Sequence, residues 1–174
     1  MINSLYGTNV YAIPRVANHI VEVMARVNVE FAGPELVEQL AVTLPVGKVK
    51  GRRHYSFASK FAHFFVDPQR FPIMDKFAKE MLKFHLGRGF TSNSVHPYLA
   101  FCKNYELLKK EVGFTGSNRE LDHYLWLAGE YLAWRKNRKA QINGDARSLF
   151  ENRAADIMAD LDTLTLSSAP AITR

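Results

Sequence analysis

The sequence predicts an all-α domain of six to eight helices, and three observations predict it. Apolar residues recur at three- and four-residue spacing in successive segments, the helical period. No stretch sustains the strict alternation of a half-buried strand, and no internal repeat is present. Proline, glycine and a Ser-x-x-Glu box punctuate the segments where helices start and stop.

In chain order, Val16, Ile20, Val23, Met24 and Val27 predict a helix over 13–29, with Pro14 in its first turn. Gly33-Pro34 restarts the chain, and Leu36, Val37, Leu40, Ala41 and Leu44 give a second helix that ends before Pro45. A basic loop follows, holding Gly47, Lys48, Lys50, Gly51, Arg52 and Arg53. Ser56 is placed to cap a third helix, with Phe57, Phe61, Phe64 and Phe65 as its buried face and Ser59, Lys60 and His63 elsewhere. Asp67-Pro68 and Phe71-Pro72 make an irregular turn, and Asp75 stands at the N-cap of a helix carrying Phe77, Ala78, Met81, Leu82 and Leu86, stopped by Gly87 and Gly89.

His96-Pro97 opens a helix that Gly113 stops. The Ser117-to-Glu120 capping box then opens another, whose buried stripe is Leu121, Tyr124, Leu125, Ala128, Leu132 and Ala133. Asn143-Gly144 turns into a last helix over 145–161. The domain is therefore drawn over 1–163, with 164–174 as a small, polar tail.

At 174 residues and 47% hydrophobic, the chain is sized for one core. Its 23 Lys and Arg against 17 Asp and Glu give a net charge of +6, which suits a polyanion. Cys102 stands alone, so an intrachain disulfide and four-cysteine metal ligation are excluded, and a reducing, cytoplasmic home is expected, nucleoid-associated if the source is prokaryotic. The N-terminal residues lack a secretory pattern, and no run approaches the about 18 apolar residues that span a bilayer. His54, His63 and Asp67 lack metal-ligand spacing, and neither a phosphate-binding P-loop nor a nucleophile elbow occurs, so no metal or cofactor is expected.

Charge concentrates locally. No acidic residue lies between Glu38 and Asp67, whereas Lys48, Lys50, Arg52, Arg53 and Lys60 do. Gly47 and Gly51 permit the close backbone approach that a phosphate needs, although a solvated surface loop has the same composition. A lysine is nucleophilic when neutral, and the first turns of a helix beside other cations disfavour the ammonium of Lys60; helices also carry surface lysines routinely. Asp75 serves either as a stabilising cap or as a carboxylate held ionised to support a developing cation. Trp126 and Trp134 are either core residues or, if exposed, platforms for an extruded base.

Leu44-Pro45-Val46-Gly47, Ser59-Lys60-Phe61-Ala62 and Phe71-Pro72-Ile73-Met74-Asp75 together resemble the core of the helix-hairpin-helix DNA glycosylase superfamily, over about 34–86. The resemblance implies a helix-hairpin-helix glycosylase-like fold, with Lys60 as nucleophile and Asp75 as the essential aspartate. It implies that the loop with Gly47, Lys48, Lys50, Gly51, Arg52 and Arg53 holds the phosphates of double-stranded DNA. The expected function is excision of a flipped, modified base by a glycosylase or glycosylase/lyase, with Tyr55, His63 and Trp126 as candidates for the base pocket. The alternative is a helical module that binds DNA or protein without chemistry.

Overall fold

A computed structural model describes residues 13–43, 52–92, 94–152 and 155–166. Among them the chain is mostly helical, with eight α-helices and one two-stranded ladder. Helix α1 is Ile13–Met24, and α2 is Glu35–Ala41. Strands β1 (Val42–Thr43) and β2 (Arg52–Arg53) pair antiparallel, Val42 opposite Arg53. They lead into α3, Tyr55–Phe65. Helix α4 is Lys76–Leu86, followed by a 3-10 turn at Gly87–Gly89; α5 is Pro97–Glu111 and α6 is Asn118–Lys136. The last described helices are α7, Gly144–Asn152, and α8, Ala155–Leu166. No helix of the described residues is long and apolar enough to cross a membrane.

Local chemistry sets most boundaries. Asp75 Oδ1 accepts from the Ala78 amide at 2.9 Å, and the Ser117-to-Glu120 box closes in both directions. Gly87 and Gly113 end α4 and α5 with φ of 50° and 62°, where a side chain would be strained. Helix α5 has a cap that no local pattern reveals: Glu38, on α2, accepts from the Tyr98 and Leu99 amides at 2.6 and 3.2 Å. A carboxylate at a helix N-terminus satisfies free amides and complements the dipole, so α2 and α5 are locked together.

The core lies where α2 and α3 meet α4, α5 and α6. Val37, Ala58, Ala62, Phe71, Met81, Leu82, Tyr98, Tyr105 and Leu125 are sealed from solvent. Its tyrosines stay satisfied, Tyr98 donating to the Pro72 carbonyl at 2.9 Å and Tyr105 to that of Asn118 at 2.8 Å. Helices α4 and α6 approach so closely at Gly129 that a Cβ there would lie 2.7 Å from Phe77 Cβ and 2.9 Å from its carbonyl oxygen.

Several features differ from the sequence expectation. The first helix, expected over 13–29, ends at Met24. Helix α3 starts at Tyr55, and its N-cap residue, His54, makes no side-chain cap bond. The face of α3 turned inward is Ala58, Ser59, Lys60, Ala62 and His63, while Phe64 and Phe65 are 46% and 63% exposed. The small residues let α2 pack against α3, and the polar ones find partners, so burial there does not cost lost hydrogen bonds. Finally, α8 continues to Leu166, with Thr165 buried.

Candidate functional site

The inward side of α3 meets the 66–75 connection. Ser59 Oγ accepts from the Met74 amide at 3.0 Å, which draws the end of that connection onto the helix. At the next residue, Lys60 Nζ lies 3.6 Å from Asp75 Oδ2, while Asp75 Oδ1 caps α4. The contact is an ion pair, too long for a hydrogen bond. Both side chains are buried, 8% and 11% exposed. Lys60 and Asp75, fifteen residues apart in sequence, are thus brought together.

His63 follows on the same face. Its Nδ1 is 3.0 Å from the Phe71 carbonyl, so Nδ1 carries the proton and donates it. Asp122 Oδ2 lies 3.5 Å from that nitrogen and accepts from the Ile73 amide at 3.1 Å. Burial lowers the His63 pKa, so the imidazole is neutral at pH 7. Burial pushes the Asp122 carboxyl up to about 7, against the Ile73 amide, which holds it down. Asp122 Oδ1 has no hydrogen-bond partner among the described residues.

Asp122 belongs to a row that the sequence reasoning missed. Asn118, Asp122, Trp126 and Glu130 recur every four residues along α6 and so share one side of it. Asn118, Asp122 and Glu130 are buried and Trp126 is half-buried. Glu130 Oε2 accepts from the Asn143 amide at 3.0 Å. Burial raises the Glu130 pKa to about 7; the Asp75 charge adds to the shift and the Lys60 charge opposes it. Three carboxylates, one ammonium and one neutral imidazole therefore form a polar seam between α3, α6 and the 66–75 connection. Lone carboxylates cost several kcal/mol to bury charged, which is why the Asp122 and Glu130 carboxyls are both pushed up. The signal was the four-residue spacing of Asn118, Asp122, Trp126 and Glu130.

The other candidates are not gathered there. Gly47, Lys48, Lys50 and Gly51 lie outside the described residues, Arg52 and Arg53 form β2, and Arg53 is exposed. Tyr55 is eight residues before His63, about 12 Å along α3. Its hydroxyl donates to Glu38 Oε2 at 2.8 Å, and burial with that bond raises its pKa to about 12. Of the three base-pocket candidates, only His63 and Trp126 border the seam. Trp134 is buried in the core under the Arg138 guanidinium. Among the described residues, no cluster of three or more His, Cys, Asp or Glu is arranged to hold a metal ion.

The family model HI_0787_N, an N-terminal domain, matches residues 1–70, which include Lys60 and stop short of Asp75. Over 135 residues the chain is 34% identical to a Haemophilus influenzae protein named "Uncharacterized protein". That similarity covers 74% of this chain and 62% of the relative, so the chain spans less than two thirds of the relative's length. No solved structure matches the chain.

Proposed function

We propose that the chain is a DNA base-excision glycosylase or glycosylase/lyase built on a helix-hairpin-helix core, with Lys60 as nucleophile and Asp75 as its supporting carboxylate. The observation that carries this reading is the 3.6 Å approach of Lys60 Nζ to Asp75 Oδ2. Helices α2 and α3, joined through the short ladder, support the helix-hairpin-helix reading. In the reaction, neutral Nζ attacks C1′ of the deoxyribose. The glycosidic C–N bond breaks, its electron pair leaves with the base, and the base takes up a proton. One Nζ proton passes to O4′ as the C1′–O4′ bond breaks and the ring opens, which leaves an iminium between Lys60 and C1′. The Asp75 carboxylate, held by the Ala78 amide and the α4 N-terminus, stabilises positive charge developing at the sugar.

Borohydride reduces that iminium to a stable protein–DNA adduct. Wild-type protein is expected to form the adduct with duplexes containing abasic or modified sites, and Lys60→Gln is expected to abolish it. Absence of a wild-type adduct across an abasic and modified-base panel contradicts the lyase chemistry.

Burial of the same pair favours a second reading, a helical module that binds DNA or protein without chemistry. There the Lys60–Asp75 pair only fixes the start of α4 against α3. In that case no adduct and no strand scission appear at any lesion, while wild-type and Lys60→Gln proteins bind DNA equally.

A further inference from the structure

We infer that the loop joining α6 to α7 is a second phosphate-binding surface, which holds a nucleic-acid backbone through Lys136, Arg138 and Lys139. The inference rests on the DNA reading above and deepens it. All three side chains are exposed, and none has an acidic partner within ion-pair distance among the described residues. Their neighbours differ: Arg135 is neutralised by Asp162 at 2.6 Å, and Arg147 by Glu151 at 3.3 Å. Helix α6 ends at Lys136 and its C-cap is Asn137. Arg138 and Lys139 lie beyond that cap, so complementing the helix dipole does not account for their placement.

The loop is also built in advance. Arg147 donates to the Arg138 and Ala140 carbonyls at 2.7 and 2.6 Å. Asn137 Oδ1 accepts from the Lys139 amide at 2.9 Å, and the Asn137 carbonyl accepts from Ala140 at 2.8 Å. The Arg138 guanidinium stacks 3.5 Å from the centre of the Trp134 ring. The cations thus stand on a fixed backbone, which reduces the ordering cost of binding.

The same loop reaches the candidate site, because its Asn143 amide donates to Glu130 in the polar seam. Lys136 lies six residues past Glu130, about 9 Å along α6. At about 3.4 Å per phosphate along one strand, that is two to three nucleotides. Among the described residues, no large exposed apolar side chain lies within the 136–143 stretch itself, as insertion into an anionic membrane surface would call for.

The test is binding of the full chain to a fluorescent 20-base-pair duplex across a salt series. Lys136→Gln/Arg138→Gln/Lys139→Gln is expected to reduce the slope of log K against log salt by about 2.7, or about 0.9 per lost phosphate contact, and to weaken binding at 0.1 M salt by at least about tenfold. Lys136→Gln/Lys139→Gln leaves the Trp134 stack intact and is expected to remove about 1.8 of the slope. The exposed lysines of Lys79→Gln/Lys83→Gln/Lys103→Gln serve as the control, with an unchanged slope expected. A wild-type protein that binds duplex and is weakened no more by the loop variants than by the control overturns the inference. Wild-type binding to phosphatidylserine vesicles but not to duplex overturns both the inference and the DNA reading. Duplex binding lost in the loop variants, without any borohydride adduct, upholds the loop and removes only the glycosylase chemistry.

Discussion

The two sides of α3 invert the usual relation between hydrophobicity and burial. One side carries Phe57, Phe61, Phe64 and Phe65, and its last two rings are largely in water, with Phe61 and Phe65 leaning together at 5.2 Å. The other carries Ala58, Ser59, Lys60, Ala62 and His63, each at most 6% exposed. Close approach of neighbouring backbone selects small residues, and a partner for every polar group selects the rest. An apolar side chain left in water costs less than a polar one buried without a partner, so partners decide which side faces in.

The polar side of α3 is most sensitive where a buried charge loses its partner. Asp75→Ala removes both the α4 cap and the counter-ion of Lys60, and an expected loss of about 3–5 kcal/mol should appear in urea unfolding. Lys60→Met/Asp75→Asn removes the pair together and keeps a capping side chain; it is expected to recover most of that loss. If the double variant is as unstable as Asp75→Ala, the cost does not lie in the unpaired ammonium.

Next in size is the carboxylate of the seam. The Asp122 pKa is raised in the folded chain to about 7 from its ordinary 3.8, so its contribution to stability is present below about pH 4 and is lost as pH rises through 7. Asp122→Asn is therefore expected to gain stability relative to wild type between pH 4 and 8, on the order of 3 kcal/mol, measured as the difference of two denaturation series. His63 acts in the opposite sense, because its pKa is lowered, and it remains in both proteins. A pH-independent difference would contradict the buried-carboxylate account.

Ala58→Leu inserts bulk where the side chain is sealed against its neighbours and is expected to cost about 1–3 kcal/mol. The smallest effect belongs to the aromatic side. Phe65→Ser, at a ring 63% exposed, is expected to stay within about 0.5 kcal/mol of wild type by thermal denaturation. A larger loss there would mean that the ring is covered by a contact beyond this chain.

Features that depend on a few neighbouring residues were legible in the sequence. The Asp75 cap, the Ser117-to-Glu120 box and the stops at Gly87 and Gly113 are local chemistry, and they are found in place. The helical class followed from the same periodicities. The orientation of α3 was legible only in part, because hydrophobic spacing assigned all four phenylalanines to the core, where Phe61 packs while Phe64 and Phe65 are exposed. Glu38 capping α5 across sixty residues, and Asp122 and Glu130 joining Lys60 and Asp75, depend on which helices are neighbours. Spacing also gave the side of α6 shared by Asn118, Asp122, Trp126 and Glu130, but not the fact that other elements cover it.

On the proposed function, the polar side of α3 is the reactive one. Borohydride trapping of full-length protein on an abasic duplex, followed by nuclease digestion and peptide mass mapping, tests it most directly. A reduced deoxyribose remnant on Lys60, absent in Lys60→Gln, is the result predicted. No adduct, or an adduct mapped to another lysine and kept in Lys60→Gln, would contradict it.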